Sequence, residues 1–321
     1  LDEDGHIRGQ HALQREAGGY FSAQVSDAGP GTRYQYQLDG HGRYPDPASR
    51  FQPQGVHGPS EVIDPAQFVW RDGEWPGSKL QGQVLYELHV GTFTEQGTFT
   101  AAIEKLPYLR ELGITIIEVM PVADFHGEFG WGYDGVCWYA PTRLYGRPDD
   151  FRAFVDAAHR QGLGVILDVV YNHFGPTGNY TGAFSPYYKS RHRGTDGKRS
   201  GPVREFVIAN AAHWIREYHL DGLRLDATQA IFDGSSEHIL TALTRAAREA
   251  AGGKPIVLYA ENDAQEVCHV ESPEDGGYGM DGLWNDDFHH ACRVAAAGHS
   301  EFYYSDYDGS PEALLAAIRW G

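Results

Sequence analysis

The chain has 321 residues, with 26 Lys and Arg against 44 Asp and Glu and a formal net charge of −18. That sign repels phosphate and argues against nucleic acid or an anionic membrane as a partner, while 41% hydrophobic and 13% aromatic residues exclude global disorder. No apolar run approaches the roughly 20 residues of a membrane helix, and Cys137, Cys268 and Cys292 are spread too widely for a CxxC motif, which suits reduced thiols and a cytoplasmic location.

Residues 1–78 carry strand signals and no helix. Tyr20–Val25 and Arg33–Leu38 are β-rich and are separated by the turn-forming run Asp27–Gly31. Tyr34, Tyr36 and Leu38 alternate with Arg33, Gln35 and Gln37, the period of a half-buried antiparallel strand. A proline-studded stretch from Tyr44 to Pro53 follows, and a linker is expected near Asp72–Gly77. This region is expected to be a small β-sandwich lacking its first strands.

From about residue 79 the rhythm becomes strand, helix, strand. Strands are predicted at Val84–Val90, Ile114–Val122, Val165–Val170, Leu223–Asp226, Ile256–Ala260 and, more briefly, near Leu283–Trp284. Helices are predicted at Phe99–Leu112, Asp149–Gln161, Glu205–His219 and 238–250, with Ile103, Leu106, Leu109 and Leu112 forming the apolar face of the first. The alternation implies an α/β architecture, barrel or doubly wound, with about six strand–helix units against the eight of a closed barrel. A Gly-, Pro- and Tyr-rich excursion spans 174–203, and a last helix is expected from Pro311. The chain begins with Leu1, has Met120 and Met280 as its methionines and ends within that helix, so it is expected to be a fragment at both ends.

The apolar strands end in polar groups: Asp168 followed by Asn172 and His173, Arg224 followed by Asp226, then Glu261, Asn262 and Asp263. A carboxylate at the end of an apolar strand costs desolvation energy unless it is paired or used, and the C-terminal rim is where such barrels place their chemistry. Arg224 and Asp226, two apart on a strand, share a face. Two carboxylates and an arginine suit glycoside hydrolysis, in which one carboxylate attacks, the other donates and recovers a proton, and the arginine keeps the attacker ionised.

These strings resemble the α-amylase superfamily, glycoside hydrolase family 13. Asp168–His173 is similar to its first conserved region, Gly222–Ala227 to the second and Ala260–Asn262 to the third, all following the aromatic run Trp131–Asp134. The resemblance implies a (β/α)8 TIM barrel over 79–321, incomplete here with about six strands, and a preceding β-sandwich over 1–78. It implies Asp226 as nucleophile, Glu261 as general acid/base and Arg224 as the partner of Asp226. Tyr133, Asp168 and His173 would line the subsite of the attacked sugar, with Asn172 supporting the rim. No cofactor or metal is implied.

Within the superfamily, Asp46–Pro53, Gly55–Ser60, Leu225–Ile231, Glu261–Asp263 and Trp284–His290 resemble the trehalohydrolase branch. That branch cleaves the α-1,4 bond next to the terminal trehalose of maltooligosyltrehalose or a related α-glucan. On this reading Asn262, Asp263, Trp284 and His290 are substrate-binding candidates. The run Trp284–His290 also has the composition of a metal site or of core packing. The glucan branching enzymes, which share Ala140-Pro141-Thr142, are the alternative, and a non-catalytic glucan-binding relative is a third.

Three further features have open readings. His89 reads as packed inside the barrel, and Cys137 as a small buried apolar residue. The excursion, with Tyr180, Phe184, Tyr187 and Tyr188, is either a lid or an ordinary connection, and its basic patch of Lys189, Arg191, His192, Arg193, Lys198 and Arg199 reads as solvated. The superfamily's third acid, in an Asn-His-Asp motif on the seventh strand, has no counterpart after Glu261. The 321 residues alone are therefore expected to be inactive or nearly so.

Overall fold

A computed structural model describes residues 1–2, 5–39, 42–184 and 201–320. Its centre is a six-stranded parallel sheet: β1 (Leu85–Leu88), β2 (Ile116–Val119), β3 (Gly164–Val169), β4 (Gly222–Leu225), β5 (Val257–Glu261) and β6 (Gly282–Trp284). The strands lie side by side in chain order, as successive right-handed crossovers dictate, and form a curled half-barrel. The crossovers are built from α1 (Phe99–Ile103), α2 (Leu106–Leu112), α3 (Pro148–Arg160), α4 (Gly201–Tyr218) and α5 (Ile239–Ala250), and α6 (Asp286–Ala297) and α7 (Pro311–Trp320) follow β6.

Alternation along the strands separates two environments. Leu223 and Leu225 on β4, with Leu258 and Ala260 on β5, face the helices and pack with Phe99, Phe151, Phe154, Trp214 and Tyr218. Burying one such leucine contributes about 1.5–3 kcal/mol. The opposite faces contribute Ile116, Ile166, Val257 and Tyr259 to a second cluster inside the half-barrel, with Leu85 and Trp284 against it. Above that layer the same faces carry the charged residues of the site. Gly222 lets β4 and β5 approach, since a Cβ there would lie 1.8 Å from the Val257 carbonyl oxygen.

The predicted helix over 99–112 is two helices. Pro107 starts a new segment, Lys105 and Gly113 flank α2, and Leu112 is exposed rather than part of the buried face. From residue 79 on, the other helices and strands match their predicted segments to within a few residues at most ends, whereas the predicted strand Arg33–Leu38 is two short strands with different partners and Tyr20–Val25 is a strand only at Phe21–Ser22. One pairing was not foreseen: Ala123–Asp124 and Cys137–Pro141 form an antiparallel pair beyond β2. Cys137 is buried there, and burial pushes its thiol pKa up.

In residues 1–78 the strands are two-residue antiparallel pairs: Gln14–Arg15 with Phe21–Ser22, Arg33–Tyr34 with Ser60–Glu61, and Tyr36–Gln37 with Arg43–Tyr44. The start of the excursion packs on this segment. Tyr180 meets Tyr44 and hydrogen-bonds His57 at 2.7 Å, and Phe184 meets Tyr36 and Tyr44 edge-on. Tyr187, Tyr188 and the basic patch lie outside the described residues.

The linker is fastened to the base of the sheet by two ring stacks. Trp75 stacks on His159 at 4.8 Å and Trp70 on His219 at 3.7 Å. Asp72 Oδ2 bonds both imidazoles, at 2.9 and 2.8 Å, and Asp221 Oδ2 bonds the other nitrogen of His159 at 2.9 Å. Asp221 also accepts from Trp75 Nε1 and from the Val165 amide, tying linker, α3, β3 and β4 together.

Candidate active site

The C-terminal ends of β3, β4 and β5 bring the predicted charges together. Asp168 and Arg224 are cross-strand neighbours, and Arg224 in turn faces Tyr259. Arg224 Nη1 donates to both Asp168 oxygens at 2.8 Å and to Asp226 Oδ1 at 3.0 Å, while Nη2 pairs with Glu261 Oε2 at 2.9 Å. One guanidinium thus holds three carboxylates. Burial opposes the charge on Arg224, but Asp168 and Glu261 outweigh it and push its pKa up.

Further donors fix each acid. Asn172 Nδ2 donates to Asp226 Oδ2 at 2.6 Å and to the Asp226 carbonyl at 2.8 Å. The Tyr133 hydroxyl donates to Asp168 Oδ2 at 2.8 Å. The Ala227 amide donates to Glu261 Oε2 at 3.0 Å, which requires the left-handed conformation, φ 41°, of Ala227. Thr228 Oγ1 donates to the Glu261 carbonyl at 2.8 Å and ties the two strand ends together. Burial raises the Glu261 pKa, against the pull of Arg224 and the Ala227 amide and with help from Asp226. A carboxyl that keeps its proton toward neutral pH is what a general acid needs.

The remaining candidates are placed around this group. Trp284 is the cross-strand neighbour of Glu261 and stacks on Tyr259 at 4.9 Å. His173 is exposed and its Nδ1 is bonded to the side-chain oxygen Oδ1 of Asn172, and Asp263 is exposed just past Glu261. Asn262 is fully buried with its amide spent on Glu266, whose backbone amide it accepts at 2.9 Å. His290 lies on α6, its ring among Tyr303, Tyr304 and Tyr307, outside the group that Arg224 gathers. His89 is half-buried and bonds the Gly130 carbonyl and the Tyr145 hydroxyl.

Sequence reasoning missed two carboxylates inside the half-barrel, Glu87 and Glu118, although an acid alternating with Leu85 or Ile116 on a strand was a visible signal. With Asp168 they form a cluster whose carboxylate oxygens lie within 4.8 Å of one another, the spacing of a metal site. Both oxygens of Asp168 are already engaged by Arg224, and one also by Tyr133, so a cation there would compete with the guanidinium.

The family profile described as the α-amylase catalytic domain matches residues 63–195. A malto-oligosyltrehalose trehalohydrolase of Deinococcus radiodurans is 48% identical over 97% of this chain and 51% of its own length. The chain belongs to the α-amylase superfamily. A crystal structure of a candidate α-amylase from Salmonella typhimurium superimposes with a TM-score of 0.88 at 45% identity, covering 95% of this chain and 54% of that one. A 1,4-α-glucan branching enzyme of Pseudoalteromonas atlantica is more distant, 32% identical over 68% of this chain and 34% of its own length. The chain spans about half the length of the trehalohydrolases it matches.

Proposed function

We propose that the full-length protein is a retaining glycoside hydrolase that cleaves the α-1,4 bond next to the terminal trehalose of a maltooligosyltrehalose and releases trehalose. The observation that carries the mechanism is the suspension of Asp226 and Glu261 from the two ends of one guanidinium. That arrangement favours the short carboxyl separation, about 5–5.5 Å, of a retaining pair. Arg224 and Asn172 hold the Asp226 carboxylate aimed, so that it attacks the anomeric carbon. Glu261 gives its proton to the departing oxygen and then takes one from the water that hydrolyses the glycosyl–enzyme ester. Asp168, its pKa pushed up to about 7 by burial against the pull of Arg224 and Tyr133, offers fixed oxygens to the sugar hydroxyls, and Trp284 beside Glu261 offers a flat face toward the leaving group.

The choice of substrate rests on the relatives of 44–48% identity, which carry the trehalohydrolase name, against 32% for the branching enzyme. Three free cysteines accord with a cytoplasmic enzyme acting on a soluble α-glucan rather than on nucleic acid or a membrane. The test is to incubate the full-length protein with a maltooligosyltrehalose and analyse the products. Free trehalose is expected. New α-1,6 linkages without net loss of glycosidic bonds would assign it to the branching enzymes, and binding without turnover to the non-catalytic relatives.

A further inference from the structure

Glu87 on β1 and Glu118 on β2 are direct cross-strand partners, an arrangement that is unfavourable when both are charged. Glu118 is 1% exposed, and among the described residues its Oε1 has no hydrogen-bond partner. One of its carboxylate oxygens lies within 4.8 Å of an oxygen of Glu87 and an oxygen of Asp168. The charged groups facing it are Glu87 from β1, Asp168 from β3, Arg224 from β4 and Glu261 from β5. The one cation among these is already divided between Asp168, Asp226 and Glu261. An anion buried in such company is costly, and what remains to neutralise it is a proton.

We propose that Glu118 is a positioning residue for the glycoside chemistry: a neutral carboxylic acid beneath Asp168 that leaves the whole of the Arg224 guanidinium to the substrate-facing carboxylates. Burial first, then the charge of Asp168 against the pull of Arg224, pushes its pKa up to about 8. Loss of that proton places a second anion beside Asp168. It draws Arg224 toward β2 and loosens its hold on Asp226 and Glu261. The catalytic part of this inference rests on the hydrolase reading, and the protonation part does not.

The experiment has two arms, both on the full-length protein. Infrared difference spectra from about pH 6 to about pH 9 should show, beside the carboxyl band that Asp168 loses near pH 7, a second protonated carboxyl C=O band that disappears near pH 8 in the wild type and that Glu118→Gln removes. In the pH profile of trehalose release, Glu118→Ala should lower kcat at neutral pH by at least about tenfold. Glu118→Gln, which keeps shape and neutrality, should recover most of that loss and remove one proton from the alkaline limb. A wild-type spectrum without the pH 8 band, or a pH 8 band that survives Glu118→Gln, overturns the proposal. So does calcium or sodium binding that Glu118→Gln abolishes, because a cation would then be neutralising the cluster. If the wild type releases no trehalose, the substrate reading fails while the infrared arm still decides the protonation.

Discussion

Replacing Arg224 with methionine keeps the length of the side chain and removes its charge. The guanidinium makes three bonds at 2.8–3.0 Å through Nη1 and one ion pair at 2.9 Å through Nη2. Asp168 is 1% exposed and Arg224 6%, so the lost partner cannot be replaced by bulk water at Asp168. Breaking a buried pair from one side costs about 3–5 kcal/mol, and that range is expected for Arg224→Met at neutral pH. Asp168 and Glu261 relieve the cost by taking up protons, so their folded-state pKa values, already raised by burial with Arg224 opposing, rise further above those of the unfolded chain. The folded variant then binds more protons than its unfolded state, and its stability increases as pH falls. Denaturant unfolding of the full-length protein, followed by tryptophan fluorescence at about pH 7 and about pH 5, should show the deficit shrinking at the lower pH. A deficit below about 1 kcal/mol, or one that does not change with pH, would refute the claim that Arg224 balances these acids.

Glu261→Gln should cut the rate of glycoside cleavage by about 10²–10⁴ and flatten the alkaline limb of the pH profile, readable with an unactivated maltooligosaccharide, whose departing oxygen needs the proton. The His159 pKa is raised, the bonds from Asp221 and Asp72 outweighing its burial. Its contribution is therefore complete below its ordinary 6.5 and is lost as pH rises through the folded value, so the stability gap between wild type and His159→Asn should close in that direction in thermal melts. The Asp72 pKa is lowered by the two histidines despite burial, so its contribution persists above 3.8 and is lost only as pH falls further. Gly222→Ala should destabilise by at least about 1–3 kcal/mol, because β4 and β5 must part to admit a Cβ 1.8 Å from the Val257 oxygen; wild-type stability in that variant would contradict the close approach.

Much of the site was legible because each strand announces itself by apolar alternation and ends in a charge. Asp168, Arg224, Asp226 and Glu261 are separated by up to 93 residues in sequence, yet parallel strands in chain order bring their ends to one rim. What was misjudged follows from local chemistry. Apolar spacing over 99–112 concealed the break at Pro107, which a reading of helix start signals locates. In sequence, Trp284–His290 reads as a binding run. Asn285 in fact caps α6, its Oδ1 accepting from the Phe288 amide, and Asp286 and Asp287 fill the first turn. That carries His290 around the helix to tyrosines which no short-range pattern links to it. Asn262, chosen for standing next to Glu261, alternates to the opposite side of the strand end and is spent on Glu266. The involvement of Ala227 was also hidden, since nothing in its identity signals a left-handed backbone that turns its amide onto Glu261.

If Asp226 attacks and Glu261 supplies and recovers the proton, the covalent intermediate of the full-length protein can be trapped with a fluorinated α-maltosyl fluoride and the labelled peptide mapped by mass spectrometry. One glycosyl unit is expected on the peptide bearing Asp226, with no label in Asp226→Asn. A label on any other carboxylate, or turnover with no trapped ester and inversion at the anomeric carbon, would contradict that assignment.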